Sequence, residues 1–473
     1  MLFHLRHLEG ESDVRSGYIY VHIEGDSVEV RESFLGFFPI AGKTANELTK
    51  DILSNLESDG LDINFCRIQG YDNAATMAGI HGGVQKKIKE INPKVLFVPC
   101  ANHSLNLCGV HSFGTNPLCV TFFGTVEKLY CFFSLSTHRW GVLKENMNLT
   151  VKRLSQTRWS APHDAIKPLK KQFEKLIIAL ETLTDQRENV DTRGSVEVFL
   201  KAVCDFYFLG HLSFWCDVLE EVNLTQKYLQ TEGISLEKCT VKLNGLKLFL
   251  RGQRNEIVER AIQYATTQCE EMGISMETRG RIRRKKMMPG EMARDAGLTM
   301  QEEMRRSMFE CLDRFSLELD ARSEAMDNIL SIFAAIQPSY LLSAKEEQLQ
   351  GSISNSSMTK IFNEISDEDV MIEIMRLRRH MEAAKITPEE ANKWTVLQFL
   401  KFIVKWDFCE TLPNLSLCLR FFLTICVSVV SCKRSFSKLN LKNYLRSSMT
   451  QTRLNSLAMI SIENECAKTV NFD

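Results

Sequence analysis

The chain has 473 residues, 44% of them hydrophobic and 25% charged, and its formal net charge is −1. This length accommodates two or three domains with their own cores. The near-zero charge excludes a global attraction to nucleic acid or to membranes, so nucleic-acid contacts are expected only from local basic patches. The longest largely apolar run, Phe421 to Val430, is much shorter than the roughly 20 residues that span a bilayer, and it predicts a buried core segment.

The fifteen cysteines are scattered from Cys66 to Cys466, and no two of them form a C-x-x-C pair. Their odd number and irregular spacing are not typical of the disulfide framework of a small secreted domain. The N-terminal stretch MLFHLRHLEG has His and Arg among its apolar residues, which argues against a signal peptide. These features predict reduced, mostly buried thiols in a nuclear or cytosolic protein.

The first sixty residues show strand signals followed by a helix signal. Alternating apolar residues predict strands over 19–23 and 28–40, with a hairpin turn at Asp26 and Ser27. Thr44 and Glu47 have the spacing of a capping box, and the apolar residues that follow predict one buried helix face that ends at Gly60.

The pattern of strand and helix then repeats along the chain. Apolar runs predict short strands over 63–68 and 95–98, a helix over 74–91 between them, and a further helix from Ala101. The resulting order β-β-α-β-α-β-α predicts an α/β fold, a mixed sheet with helices packed on it.

Strand signals fade from Asn116 onward, and helical spacing dominates as far as Asn392. The polar, serine-rich stretch 351–357 predicts a loop or a partly disordered linker. From Leu412 the chain returns to apolar helix, and a last helix is predicted over 450–462.

Four motifs occur in a fixed order: RIQGYDNAATMAG at 67–79, VPCANHSLNL at 98–107, SQTRWSA at 155–161, and the tail LRFFLTICVSVVSCKRSFSKLNLKNYLRSSM at 419–449. Together they make the chain similar to hAT-superfamily transposases, in particular the domesticated vertebrate kind attached to MYM-type or THAP-type zinc fingers. The resemblance implies an RNase-H-like α/β core, a large all-helical insertion and a C-terminal helical dimerisation region.

The resemblance also implies a domain organisation. Residues 1–115 would form the N-terminal part of the RNase-H-like core, which we expect to be truncated at its start because the first family aspartate is not found. Residues 116–392 would form a mainly helical region that includes the insertion. Residues 393–473 would complete the core and form the dimerisation region.

In the family, two Asp and one Glu hold two divalent metals for DNA strand transfer. Asp72 matches the second Asp, although a capping Asp at a strand–helix turn is the simpler alternative. The first Asp either falls on Gly10 in the stretch Gly10-Glu11-Ser12-Asp13 or has been lost by truncation, and Lys433 occupies the Glu position. A protonated ammonium repels Mg²⁺ and offers it no ligand. We therefore expect no metal, no cofactor and no strand-transfer activity.

Two basic stretches are candidates for nucleic-acid contact. Arg158 and Trp159 match the family's R-W motif, in which Trp can stack on an unpaired base; a core Trp at a helix start is the alternative. The run 279–286 holds six cations, among them Arg283, Arg284, Lys285 and Lys286. It predicts phosphate contacts or a nuclear-localisation signal, with a solvated loop as the alternative.

Cys100 and His103 form a C-x-x-H pair. Such a pair is half of a zinc site, but no second pair lies at finger spacing, so we interpret it as a packed remnant of the family site.

The tail is the expected interface for a second copy of the chain. The resemblance assigns to dimerisation the apolar residues Leu419, Phe422, Phe436, Leu439, Leu454 and Leu457. The alternative is that these residues only close the core, and both roles are compatible.

These features favour a catalytically dead, nuclear, homodimeric protein with DNA or chromatin proteins as further partners, and with no membrane and no small-molecule substrate. An active DDE-type DNA transposase or nuclease is the alternative, against which Lys433 argues. A sequence-specific DNA-binding regulator would need a finger of the BED, THAP or MYM type, and no set of paired Cys and His of that kind is present in the sequence.

Overall fold

The structure, a computed structural model, describes residues 3–7, 13–149, 151–154, 160–231, 233–274, 298–355, 358, 361–362, 365–428 and 450–469. The chain divides into two compact units. Unit 1 comprises Met1–Ser104, Leu229–Val241 and Arg322–Asp473, and unit 2 comprises Leu105–Tyr228 and Lys242–Ala321.

Unit 1 contains a five-stranded mixed sheet. Its strands are β1 Phe3–His7, β2 Asp13–Glu24, β3 Ser27–Pro39, β4 Cys66–Tyr71 and β5 Leu96–Pro99. Their order across the sheet is β3-β2-β1-β4-β5. β2 pairs antiparallel with β1 and with β3, whereas β1, β4 and β5 run parallel to one another.

The predicted hairpin is confirmed, with strands longer than the apolar alternation indicated. The turn residues are Gly25 and Asp26, and Ser27 already belongs to β3. Gly25 has φ +56°, a left-handed conformation that glycine adopts at little cost. The sequence patterns missed β1, because the His and Arg residues in FHLRH interrupt the apolar alternation that marks a strand.

Two further predictions near β4 need correction. Residues 63–65 form a 3₁₀ turn, capped by the Asp62 side chain, and the strand begins only at Cys66. The helix predicted over 74–91 is two helices, Ala75–Ala78 and Val84–Ile91. The chain turns tightly between them, and a Cβ on Gly79 would lie 2.4 Å from the Ala75 carbonyl oxygen, so only glycine fits there.

The rest of the described chain is mostly helical, as predicted. The helices are α1 Ala45–Ser58, α2 Ala75–Ala78, α3 Val84–Ile91, α4 Ala101–Thr115, α5 Pro117–Ser134, α6 Thr137–Asn146, α7 Ala161–Lys171, α8 Phe173–Thr182, α9 Val190–Val203, α10 Phe206–Leu229, α11 Leu236–Gly252, α12 Arg254–Glu271, α13 Met300–Ile332, α14 Pro338–Ser343, α15 Glu346–Asn355, α16 Asp367–Ala383, α17 Pro388–Ala391, α18 Val396–Lys405, α19 Pro413–Leu423, α20 Gln451–Ile462 and α21 Asn464–Thr469.

Local signals identify some helix ends and miss others. The capping box of Thr44 and Glu47 is present at the start of α1, and Thr450 caps α20 as the predicted boundary requires. The loop predicted from Gly351 is wrong for its first five positions, because α15 continues through Asn355. Ile353 is fully buried there, so packing overrides the weak helix propensity of serine and glycine.

No single helix in the described ranges is long and apolar enough to cross a bilayer. α5 and α6 meet that criterion only when they are taken as a pair, and the chain bends by 110° between them.

The tail helices pack into unit 1 around a buried carboxylate. Glu373 of α16 is 3% exposed, and its oxygens accept hydrogen bonds from the backbone N–H groups of Asn414 (3.2 Å) and Leu415 (2.7 Å). The Asn414 side chain donates a third, at 2.8 Å. Because the first N–H groups of a helix lack intrahelical partners, a carboxylate at the start of α19 satisfies them and complements the helix dipole.

The last long helix covers the edge strand of the sheet. The backbone N–H of Phe34 in β3 donates to Glu463 Oε1 (2.6 Å), and that of Phe37 donates to Asn455 Oδ1 (2.8 Å). A β-bulge in the β2–β3 pairing lets N–H groups three residues apart point to the same side. The two phenylalanine rings also pack against Ala458. We call this arrangement the edge clasp.

Candidate functional site

The carboxyl ends of the three parallel strands meet at one edge of the sheet. His7 pairs with Tyr71, and Tyr71 pairs with Pro99, so the residues after β4 and β5 begin side by side. The tail reaches the same edge, because the backbone N–H of Ala101 donates to the Val427 carbonyl oxygen at 2.9 Å. Ligands of open α/β sheets bind at such an edge.

Asp72 lies at this edge, directly after β4, as predicted. It is half-buried, and its Oδ1 accepts a hydrogen bond from the backbone N–H of Ala74 at 3.3 Å. The next residue, Asn73, donates from Nδ2 to Ser104 Oγ at 2.7 Å, which ties the β4 turn to α4. This bond lies within the turn before α2, whose N-cap is Ala74 with no side-chain cap hydrogen bond, so the capping role and the metal-binding role of Asp72 both stay predictions.

Two buried polar side chains at this edge were not predicted from the sequence. Asn102 is fully buried in the first turn of α4, and neither of its amide atoms has a hydrogen-bond partner. The Ser428 hydroxyl, next to Val427, is also buried without a partner. Asn102 stands in the VPCANHSLNL motif, so the motif was noticed but its asparagine was not singled out. Two buried polar side chains without hydrogen-bond partners thus lie in the segments that meet at this edge, and such groups are uncommon in folded proteins.

Most other predicted site residues fall outside the described residues. These are Gly10, Glu11 and Ser12, Arg158 and Trp159, the run 279–286 and Lys433. Asp13 is the first residue of β2. Their assigned roles therefore stay predictions.

The two residues of the C-x-x-H pair differ in exposure: Cys100 is buried and His103 is half-buried. Within the described part of the chain, no three His, Cys, Asp or Glu side chains gather closely enough to hold a metal ion.

The residues assigned to dimerisation have different environments. Leu419 and Phe422 on α19 are 0% and 3% exposed, and the Phe422 ring lies 5.4 Å from that of Phe333. Leu457 on α20 is half-buried. Leu454 also belongs to α20, whereas Phe436 and Leu439 lie outside the described residues. The burial of Leu419 and Phe422 within unit 1 supports the alternative that they close the core.

An aromatic surface lies in the same part of the chain. The Trp406 and Phe408 rings are near-parallel (14°) with centroids 6.4 Å apart, and the Phe408 ring stacks on His380 at 4.2 Å. Half of Trp406 is exposed. We call these three side chains the aromatic ridge. Exposed tryptophan beside a partly buried aromatic is typical of the residues that dominate binding energy at protein interfaces.

Two family models match the chain. The hAT family C-terminal dimerisation region matches residues 376–466, which include the aromatic ridge, α19 and α20. The ZMYM1/FAM200, RNase-like domain matches residues 19–83, which run from β2 through α2 and include Asp72. These matches confirm the resemblance that the four motifs predict.

The curated relatives are proteins of human and mouse. The Homo sapiens protein named "52 kDa repressor of the inhibitor of the protein kinase" is 24% identical over 286 residues, and the match covers 56% of this chain and 37% of that protein. The Mus musculus protein of the same name is 24% identical over 287 residues, with the same coverage. The matched part is thus little more than a third of the relatives' length.

Proposed function

Because the chain combines a hAT family C-terminal dimerisation region with a ZMYM1/FAM200 RNase-like domain, we propose that it is a transposase-derived protein without catalytic activity. In this proposal it self-associates through its C-terminal region and works in the nucleus with DNA or chromatin proteins. The names of the human and mouse relatives describe repressors, which supports a regulatory role.

The sheet supports an RNase-H-like core in the proposal. The strand order is β3-β2-β1-β4-β5. β2 runs antiparallel to β1 and β3, whereas β1, β4 and β5 are parallel. This arrangement accommodates a ligand site after the carboxyl ends of the parallel strands. Unit 1 is interrupted in sequence by the two segments of unit 2, which supports the predicted helical insertion.

The absence of catalysis rests on the residues at the family's metal positions. Lys433 stands where the family has Glu, and Asp72 Oδ1 already accepts the Ala74 N–H. A two-metal site needs carboxylates on both ions, and one aspartate does not supply them. Cleavage of a DNA end by the full chain with Mg²⁺, abolished by Asp72→Ala, would contradict this part of the proposal.

The observation that carries self-association is the exposed Trp406 on the aromatic ridge, inside the region that matches the hAT dimerisation model. Ile372, also within unit 1 on α16, is a further exposed apolar side chain, at 49%. In a symmetric dimer, each copy would bury this surface against the same surface of the other copy. A stable dimer interface buries about 1,200–2,000 Å² of accessible surface in total.

Sedimentation of the full chain tests self-association. We expect a dimer at tens of micromolar and a Trp406→Ala variant with a dissociation constant at least about tenfold higher, because a central tryptophan contributes on the order of 2 kcal/mol to an interface. Leu135→Ala is the matched control, since Leu135 is 80% exposed on unit 2, and it should leave the dissociation constant unchanged.

Either of two results would refute this interface. A wild-type chain that stays monomeric across that concentration range excludes the dimer. A Trp406→Ala variant that dimerises as tightly as wild type would show that Trp406 does not contribute to the interface.

The proposed nuclear location rests on the six cations at 279–286. A basic run of this kind is read by nuclear import receptors or contacts phosphates. Replacing all six by alanine in a fluorescently tagged full chain should shift the protein from nucleus to cytoplasm. An unchanged distribution would mean that the run is a solvated loop, and the same substitution of six scattered surface lysines serves as control.

A further inference from the structure

Unit 2 contains a cavity of about 250 Å³ between helices α4, α5, α7 and α10. Most of its wall is apolar and comes from Leu105, Val110 and Phe113 of α4, Phe123 of α5, and Leu219 and Val222 of α10. The residues from α10 are spaced so that they share one face of that helix. The Phe113 and Phe123 rings lie 4.3 Å apart, so one wall of the cavity is aromatic.

One end of the cavity is polar and held in place by an ion-pair network. His163 Nε2 lies 2.9 Å from Glu220 Oε2, and Lys167 Nζ contacts both Glu220 oxygens at 2.9 and 3.0 Å. Hydrogen bonds from Lys167, and secondarily from His163, lower the pKa of the Glu220 carboxyl. The charged carboxylate therefore fixes the His163 ring, which is 7% exposed.

Asn223 lines the cavity next to this network. Asn223 is 3% exposed, and its Nδ2 donates to His163 Nδ1 at 3.2 Å. Its Oδ1 is buried and has no hydrogen-bond partner. An unsatisfied buried acceptor costs about 1–3 kcal/mol, so a molecule that donates to Oδ1 would recover that loss on binding.

The lining also defines the charge of the ligand. Among the described residues that line the cavity there is no Asp, Glu, Lys or Arg; the polar ones are Asn106, His163, Asn223 and Gln226. A charged ligand would lose its hydration without a counter-ion. Since an apolar cavity of about 150 Å³ is enough for benzene, the larger volume here accommodates a fused bicyclic ring.

We propose that unit 2 binds a neutral, planar, mainly apolar molecule that carries one N–H or O–H donor for Asn223 Oδ1. Indole has this chemistry and serves as the probe. The site is independent of self-association, because every residue that lines it belongs to unit 2, whereas the aromatic ridge belongs to unit 1.

Calorimetric titration of the full chain with indole and with benzofuran tests the proposal. Benzofuran has nearly the same shape but no donor. We expect saturable, one-to-one binding of indole, and binding of benzofuran at least about tenfold weaker, which corresponds to one hydrogen bond. Equal affinities, or no saturable binding of indole up to about 1 mM, would overturn the proposal.

An Asn223→Leu variant removes the acceptor while keeping a side chain of similar volume. It should bind benzofuran as wild type does and lose the preference for indole, and retained benzofuran binding would show that the cavity is still formed. If the variant still prefers indole, Asn223 is not the recognition group. Leu224→Ala is the control, because Leu224 is the next residue on α10, is 45% exposed and does not line the cavity. It should change neither affinity.

Discussion

Replacement of Phe422 by alanine is expected to lower the free energy of unfolding by about 3–5 kcal/mol, the range for a buried phenylalanine in a core. The side chain is 3% exposed, and its ring lies 5.4 Å from Phe333. Urea unfolding measured below the concentration at which the chain dimerises isolates this effect, because no interface contributes there. Phe422→Ala would then test core packing rather than subunit contact.

The matched control is Ile460→Ala, since Ile460 is 50% exposed on α20 and should change stability by no more than about 0.5 kcal/mol. If the Phe422→Ala monomer were as stable as wild type, the core-packing role would be excluded, and the dimerisation role that the resemblance to the hAT family implies would remain. The stability of the Phe422→Ala monomer therefore distinguishes core packing from dimerisation, the two roles predicted for the tail.

The second large effect is expected at Glu373. Substitution by alanine leaves the N–H groups of Asn414 and Leu415 without the carboxylate that accepts them. Since buried hydrogen bonds to a charged group contribute about 1.5–3 kcal/mol, we expect a loss of about 3 kcal/mol in urea unfolding. Glu373→Gln keeps one acceptor oxygen and should show an intermediate loss.

Glu382→Ala provides the comparison on the same helix, because Glu382 is exposed in the last turn of α16 and should leave stability nearly unchanged. Equal stability of Glu373→Ala and wild type would show that the start of α19 does not depend on this carboxylate.

Local chemistry made much of the fold predictable. The β2–β3 hairpin, the capping box of α1 and the start of α20 at Thr450 each depend on residues close together in sequence. The errors arose where distant contacts decide. β1 is stabilised by pairing with both β2 and β4, and α15 is helical because Ile353 is buried, which no local pattern reveals.

The candidate site was predictable only in part. The position of Asp72 after a strand follows from the order of elements. That the buried Asn102 amide lacks hydrogen-bond partners depends instead on the residues that surround it after folding. Sequence spacing likewise groups Leu419 and Phe422 with other apolar tail residues and does not separate them from the exposed Trp406. That separation requires the packed structure, because burial is a property of neighbours and not of residue type.

The edge clasp also determines how the sheet behaves between molecules. A bare edge strand offers a row of unpaired N–H and C=O groups on which a strand from another chain can add, and repetition of that step leads to aggregates. In this protein the side chains of Asn455 and Glu463 accept hydrogen bonds from the N–H groups of Phe37 and Phe34, so these two groups are not free to pair with an added strand. We therefore expect α20 to oppose edge-to-edge aggregation through this part of β3, a role separate from any contact it makes with a second copy.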